Sequence, residues 1–110
     1  MKELDPMIHS QLRLAILSLL MSVEEADFMY LKDKTGATTG NLSVQITKLS
    51  EACYISVEKT FSNKRPRTVC RMTDKGREAF AEYLAQLRQL IAPAMPPDSD
   101  IADFGLQPAY

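Results

Sequence analysis

The sequence predicts a mainly α-helical domain that carries one small β-hairpin. Three observations predict it. Apolar residues recur at helical spacing in four stretches. Across residues 54–72 the period switches to two, with a polar, basic turn in the middle. Capping and turn residues stand at each change of period. At 110 residues and 45% apolar content, the chain is one domain's length and can bury a core without disulfide staples. The expected division is a domain over residues 4–91 and a Pro-rich, acidic tail over 92–110.

Ser10 is a candidate N-cap for a first helix running to about Val23. Leu12, Ala15, Ile16, Leu19 and Val23 form its core face, and Leu14, Leu17 and Met21 form a second apolar stripe opposite. A surface helix needs only one such stripe. This helix is therefore wedged between layers or meets a partner. After a polar break, Asp27 caps a short second helix from Phe28 to about Lys34, and Gly36 is placed to end it in the left-handed conformation. Thr38 or Thr39 then caps a third helix, over about residues 39–52. The short, glycine-containing interval is helix-turn-helix spacing.

On the third helix Leu42, Ile46 and Leu49 point inward. Asn41, Val44, Thr47, Lys48 and Glu51 fall on the far side with Gln45 on a flank, and most of that face is uncharged. The hairpin follows. Ile55 and Val57 alternate with Ser56 and Glu58, residues 61–68 ("FSNKRPRT") are expected as the turn, and Cys70 and Met72 alternate with Val69 and Arg71. Pro66 cannot donate to a ladder, which assigns it to the loop or an edge. Thr73 caps the last helix with Asp74 in its first turn. Gly76 weakens a helix by roughly 1 kcal/mol relative to Ala, so its presence there points to a close approach by a neighbour. Phe80, Tyr83, Leu84, Leu87, Leu90 and Ile91 make a stripe longer than so small a domain requires. Pro93 stops the helix, and residues 99–104 are expected to form at most one helical turn.

The net charge of −1 conceals an asymmetry. Residues 53–77 hold Lys59, Lys64, Arg65, Arg67, Arg71, Lys75 and Arg77 against Glu58 and Asp74. Beyond them, only Arg88 opposes Glu78, Glu82, Asp98, Asp100 and Asp103. A basic stretch within an acidic chain fits either a local polyanion contact or a solvated charged loop. No membrane-spanning run and no signal peptide is evident, so a cytoplasmic protein is expected. An enzyme is not expected: His9 is the sole histidine, and no Gly-rich phosphate loop, nucleophile elbow or paired acids appear. Cys53, Cys70 and His9 lack metal-ligand spacing, and no cofactor is implied.

Helix, helix, helix, basic hairpin, helix is the winged helix-turn-helix order. The blocks "LDPMIHSQLRLAILSLL", "GATTGNLSVQITKLSEACYI" and "RPRTVCRMTDKGREAF" resemble the small winged-helix transcriptional regulators related to MarR and ArsR. The resemblance implies a third helix in the DNA major groove, a wing over residues 54–72 on the backbone or minor groove, and a homodimer built by terminal helices, whose two-fold symmetry predicts a palindromic operator. By position it carries DNA contacts onto Thr38, Thr39, Asn41, Ser43, Val44, Gln45, Lys48, Lys64, Arg65 and Arg67. The dimer interface expected from the apolar stripes is Leu14, Leu17, Met21, Tyr83, Leu87, Leu90 and Ile91. Two positions depart from the family: Cys53 stands where relatives have glycine, and Cys70 where they carry an aromatic residue. The alternative reading is a winged helix used for protein–protein contact without sequence-specific DNA binding.

Overall fold

A computed structural model of the chain describes residues 3–96. The order is α1 (Gln11–Met21), β1 (Ala26–Asp27), α2 (Phe28–Thr35), α3 (Thr39–Glu51), β2 (Ile55–Ser62), β3 (Arg65–Met72) and α4 (Asp74–Ile91), closed by a 3₁₀ turn, Ala92–Ala94. The turn expected at residues 99–104, and most of the acidic tail, lie outside the described residues. No helix among the described residues is long and apolar enough to cross a membrane.

The caps are set by local chemistry. The Asp27 carboxylate accepts the Tyr30 amide at 2.8 Å, and Gly36 ends α2 at φ 71°. Thr38 Oγ1 accepts the Asn41 amide at 3.2 Å, and Thr73 Oγ1 accepts that of Gly76 at 2.9 Å. Ser10 occupies the N-cap of α1 with its hydroxyl unused for capping.

The core is a single cluster in which Ile16, Leu17, Leu20, Leu31, Leu42, Leu49 and Cys70 are all fully covered. Each such leucine contributes about 1.5–3 kcal/mol by leaving water. Helix α1 lies at the centre, touching α2, α3, β3 and α4. This is the wedged arrangement that its two stripes allow, and it changes two assignments. Leu17 and Tyr83, expected at a dimer interface, are 0% and 2% exposed within one protomer. Four elements around α1 leave no side of it for a partner at Leu17. Tyr83 points inward, where its hydroxyl and His9 Nδ1 stand 2.9 Å apart.

Two further features differ from expectation. Ala26–Asp27 forms a third strand, pairing with β3 through Ala26↔Cys70 and Asp27↔Val69, so the sheet order is β1-β3-β2. Two residues are too few to show a period, so the sequence reads there only as a polar break. The hairpin turn is also tighter than expected. Asn63 and Lys64, at φ 52° and 65°, form a two-residue turn closed by Ser62↔Arg65. Positive φ at both positions matches the right-handed twist of the strands. Pro66 therefore lies in β3, opposite Phe61. Ladder alternation aims its nitrogen away from β2, toward an edge that the short β1 does not reach.

After α3 the chain reverses through a Schellman arrangement. Tyr54 N–H donates to the Leu49 carbonyl at 3.0 Å and Cys53 N–H to that of Ser50 at 2.9 Å. Cys53 is the left-handed residue, at φ 65°, with its side chain exposed. A Cβ there costs about 1 kcal/mol. Cys53→Gly is therefore expected to raise Tm by about 4 °C in a thermal melt. Cys53→Ala, which keeps the Cβ, should give no comparable rise. Cys70 is buried opposite Val57, and burial pushes its thiol up to about 11. It remains a protonated core side chain at neutral pH.

Candidate nucleic-acid interface

The helix-turn-helix is α2 and α3 with Gly36-Ala37-Thr38 between them. Leu31, Leu42, Ile46 and Leu49 anchor the pair to α1. That anchoring turns the opposite side of α3 outward. Thr38, Thr39, Asn41, Ser43, Val44, Thr47, Lys48 and Glu51 are all exposed, Val44 by 50%. The candidate reading residues thus share one surface, with a single exception. Gln45 is only half-exposed. Its Oε1 accepts from Arg13 Nη1 at 2.5 Å, and its Nε2 donates to Asn41 Oδ1 at 3.0 Å. Gly40, in the first turn of α3, has open space where a Cβ would stand, so the protein's own packing does not require glycine there.

The seven bases of residues 53–77 separate into three groups. Arg67 lies 3.3 Å from Asp27 Oδ2 and 3.8 Å from Glu25. Arg71 bonds Glu25 at 2.6 Å and Glu58 at 2.9 Å, hydrogen bonds that favour its charged form further. Strand register puts Arg67, Val69 and Arg71 on one sheet face, beside Asp27 of β1 and Glu58 of β2. The charges form an ion-pair layer there, around buried Val69. Lys75 Nζ lies 5.5 Å from the centre of the Tyr54 ring, and Arg77 Nη1 lies 3.9 Å from the Met21 sulfur. Lys59, Lys64 and Arg65 remain on the wing, exposed and without an ion partner among the described residues. Arg67 was expected to act with Lys64 and Arg65. It is instead engaged by carboxylates of this chain, because β1 brings Asp27 and Glu25 alongside.

Sequence reasoning missed Arg13, Asp5 and Glu25. Arg13 is the one charged residue within α1, and that isolation was the available signal. Asp5 accepts the Met7 amide through Oδ1 at 2.9 Å, and its Oδ2 accepts the Tyr54 hydroxyl. Burial first, and then this bond, push the Tyr54 phenol up to about 12. The contact ties the N-terminal segment to the joint between α3 and the wing. No metal-holding cluster of His, Cys, Asp and Glu occurs among the described residues.

Comparisons with known proteins agree with this geometry. An uncharacterized protein of Methanocaldococcus jannaschii is 38% identical over 82 residues, covering 74% of this chain and 89% of its own. A transcriptional regulator homologue from Pyrococcus horikoshii OT3 superposes with a TM-score of 0.75 at 28% identity, over 82% of this chain and 89% of that one. PadR of Bacillus subtilis, solved in complex with operator DNA, shares the fold at a TM-score of 0.62 and 16% identity, over 79% of this chain and 61% of that one. The profile of the winged helix DNA-binding domain matches residues 12–91, the whole span from α1 to the end of α4. The chain belongs to that family of DNA-binding domains, which are not enzymes.

Proposed function

We propose that the chain is a sequence-specific, double-stranded DNA-binding transcriptional regulator acting as a homodimer in the cytoplasm. The observation that carries this reading is the split surface of α3. Its inner stripe is fully engaged in the core, while its outer face offers amide, hydroxyl and methyl groups beside one cation, with the single carboxylate, Glu51, at its C-terminal end. Such groups match base edges in the major groove. Asn41, Ser43, Val44 and Thr47 face bases, and Lys48 faces phosphate. Thr38, Thr39 and the open backbone at Gly40 sit at the positive end of the helix, where a phosphate oxygen is favoured. Lys64 and Arg65 at the wing tip supply sequence-independent attraction. The same fold holds operator DNA in PadR of Bacillus subtilis.

The dimer rests on the end of α4. Leu90 is 47% exposed, and Leu87 and Ile91 are partly so, on a helix that outruns the core. Leu14 and Met21 of α1 are also partly open. A two-fold pairing of these surfaces sets two copies of α3 about 34 Å apart and favours a palindromic site.

The test is selection from random duplexes at moderate salt, alongside sedimentation of the free protein at micromolar concentration. Enrichment of a palindrome and a dimeric sedimentation coefficient are expected. Binding that disappears at moderate salt without any preferred sequence would instead favour a protein-contact role. A monomer would remove the dimer.

A further inference from the structure

Arg13 is half-buried on α1, yet no carboxylate pairs with it among the described residues. Its guanidinium is spent on neutral oxygens. Nε donates to the Met7 carbonyl at 2.6 Å, Nη2 to that of Pro6 at 3.4 Å, and Nη1 to Gln45 Oε1 at 2.5 Å. The two backbone carbonyls hold the fork in place, and its third direction is aimed at the flank of α3.

That geometry has a chemical consequence. Arginine carries donors and no acceptor. Gln45 must therefore turn its carbonyl oxygen toward Arg13, and the opposite amide orientation would set N–H against N–H. With the oxygen so placed, Nε2 faces Asn41 one helical turn earlier, and the 3.0 Å contact makes Asn41 Oδ1 the acceptor. The same logic then applies to Asn41. Its oxygen already accepts one bond, and its Nδ2 group has no partner among the described residues on an exposed side chain.

We infer that Arg13 is a positioning residue for DNA readout: through Gln45 it orients the Asn41 amide so that α3 presents a donor to the base edge. Gln45 then serves as a link and not as a reader. The base opposite Asn41 is one that offers an acceptor in the major groove, such as guanine through O6 and N7 or thymine through O4. A bidentate amide–adenine pair is weakened rather than blocked, because the Asn41 oxygen would have to take the adenine amino group on its second lone pair while the first stays with Gln45. This inference rests on the proposed DNA-binding function and extends it to the chemistry of one base position.

Two measurements test it. The first needs no DNA. In the ¹⁵N spectrum of the free protein, the Gln45 side-chain amide protons should exchange more slowly than those of exposed Gln89. That protection should vanish in Arg13→Ala and persist in Arg13→Lys, whose ammonium also donates. Equal exchange for Gln45 and Gln89 in the wild type overturns the relay, whatever the protein binds.

The second is base preference in selected duplexes, with thermal melts confirming that each variant is folded. Arg13→Ala should lose roughly tenfold discrimination at one position per half-site, with binding to scrambled duplexes changed by less than about twofold. Arg13→Lys should restore most of it. A wild type that selects a sequence, with Arg13→Ala selecting it equally well, overturns the relay alone. Loss of scrambled and selected binding to the same extent also overturns it. A wild type with no preferred duplex overturns the sequence-specific reading and the relay together.

Discussion

Replacing Gly76 with alanine is expected to destabilise the domain by about 3 kcal/mol, although helix propensity alone predicts the opposite sign. Gly76 is in the first turn of α4 and buried. A Cβ built there would stand 2.1 Å from the Tyr54 carbonyl oxygen and 2.8 Å from the Met72 sulfur. The sulfur is the end of a flexible side chain and can move. The carbonyl cannot, because it belongs to the Schellman turn after α3 and accepts the Thr73 amide at 3.2 Å. Thr73 itself caps α4 and donates its hydroxyl to the Cys53 carbonyl at 2.7 Å. An alanine would push α4 off the turn that joins α3 to the wing, straining both caps. For a domain of this size the melting temperature should fall by about 12 °C or more. The measurement is a thermal or urea melt of Gly76→Ala beside Ala81→Gly. Ala81 is exposed on the same helix and should lose only the propensity difference, about 1 kcal/mol. A Gly76→Ala protein as stable as the wild type would show that α4 does not dock on Tyr54 as described.

This contact was half legible in the sequence. A glycine at the fourth position of a helix begun by Thr73-Asp74 signals close approach, but not what approaches. The same division runs through the rest of the fold. Asp27, Gly36 and Thr73 were readable as caps because capping needs only local geometry, Thr38 was readable as one of two adjacent candidates, and the inward stripe of α3 was readable from its spacing. Which side of α1 is buried was only partly readable: of the expected core face Ile16 alone is fully buried, beside Leu20 and, from the opposite stripe, Leu17. A helix apolar nearly all round gives no preferred face, and the burial of Leu17 is settled by where α3, α4 and the sheet happen to pack.

Charges show the same limit. The run of bases is visible along the chain, but the partners of Arg67 and Arg71 come from Glu25 and Asp27, about forty residues earlier, through a strand of two residues. The link from Arg13 to Gln45 spans 32 positions and leaves no periodic trace. What the sequence displays is the class of surface. Which polar groups remain free to use it depends on non-local pairing.

That pairing predicts two very different outcomes from the same change in charge. Lys64→Ala with Arg65→Ala removes two cations from the wing tip, where no carboxylate of the described chain answers them. Arg67→Ala with Arg71→Ala removes two cations from β3 itself, but these already face Glu25, Asp27 and Glu58. Each phosphate contact contributes about 0.9 to the slope of log K against log salt, and the electrostatic term fades near 1 M. At about 0.1 M, one decade lower, losing two contacts per protomer should weaken binding about 60-fold and flatten the slope by about 1.8 for each half-site the dimer occupies. The loss should be equal on a selected duplex and a scrambled one, since phosphates carry no sequence.

The Arg67 and Arg71 pair should behave otherwise. Its slope should change by less than about one unit. Its main cost should appear in stability, at about 0.2–1 kcal/mol for each exposed ion pair lost. A general field effect would make the two double variants equal, because each lowers the net charge by the same amount. Binding of both to both duplexes across a salt series separates these cases. Equal slopes would mean that the ion-pair layer on the sheet opens to meet DNA, and the wing tip would then lose its distinct role.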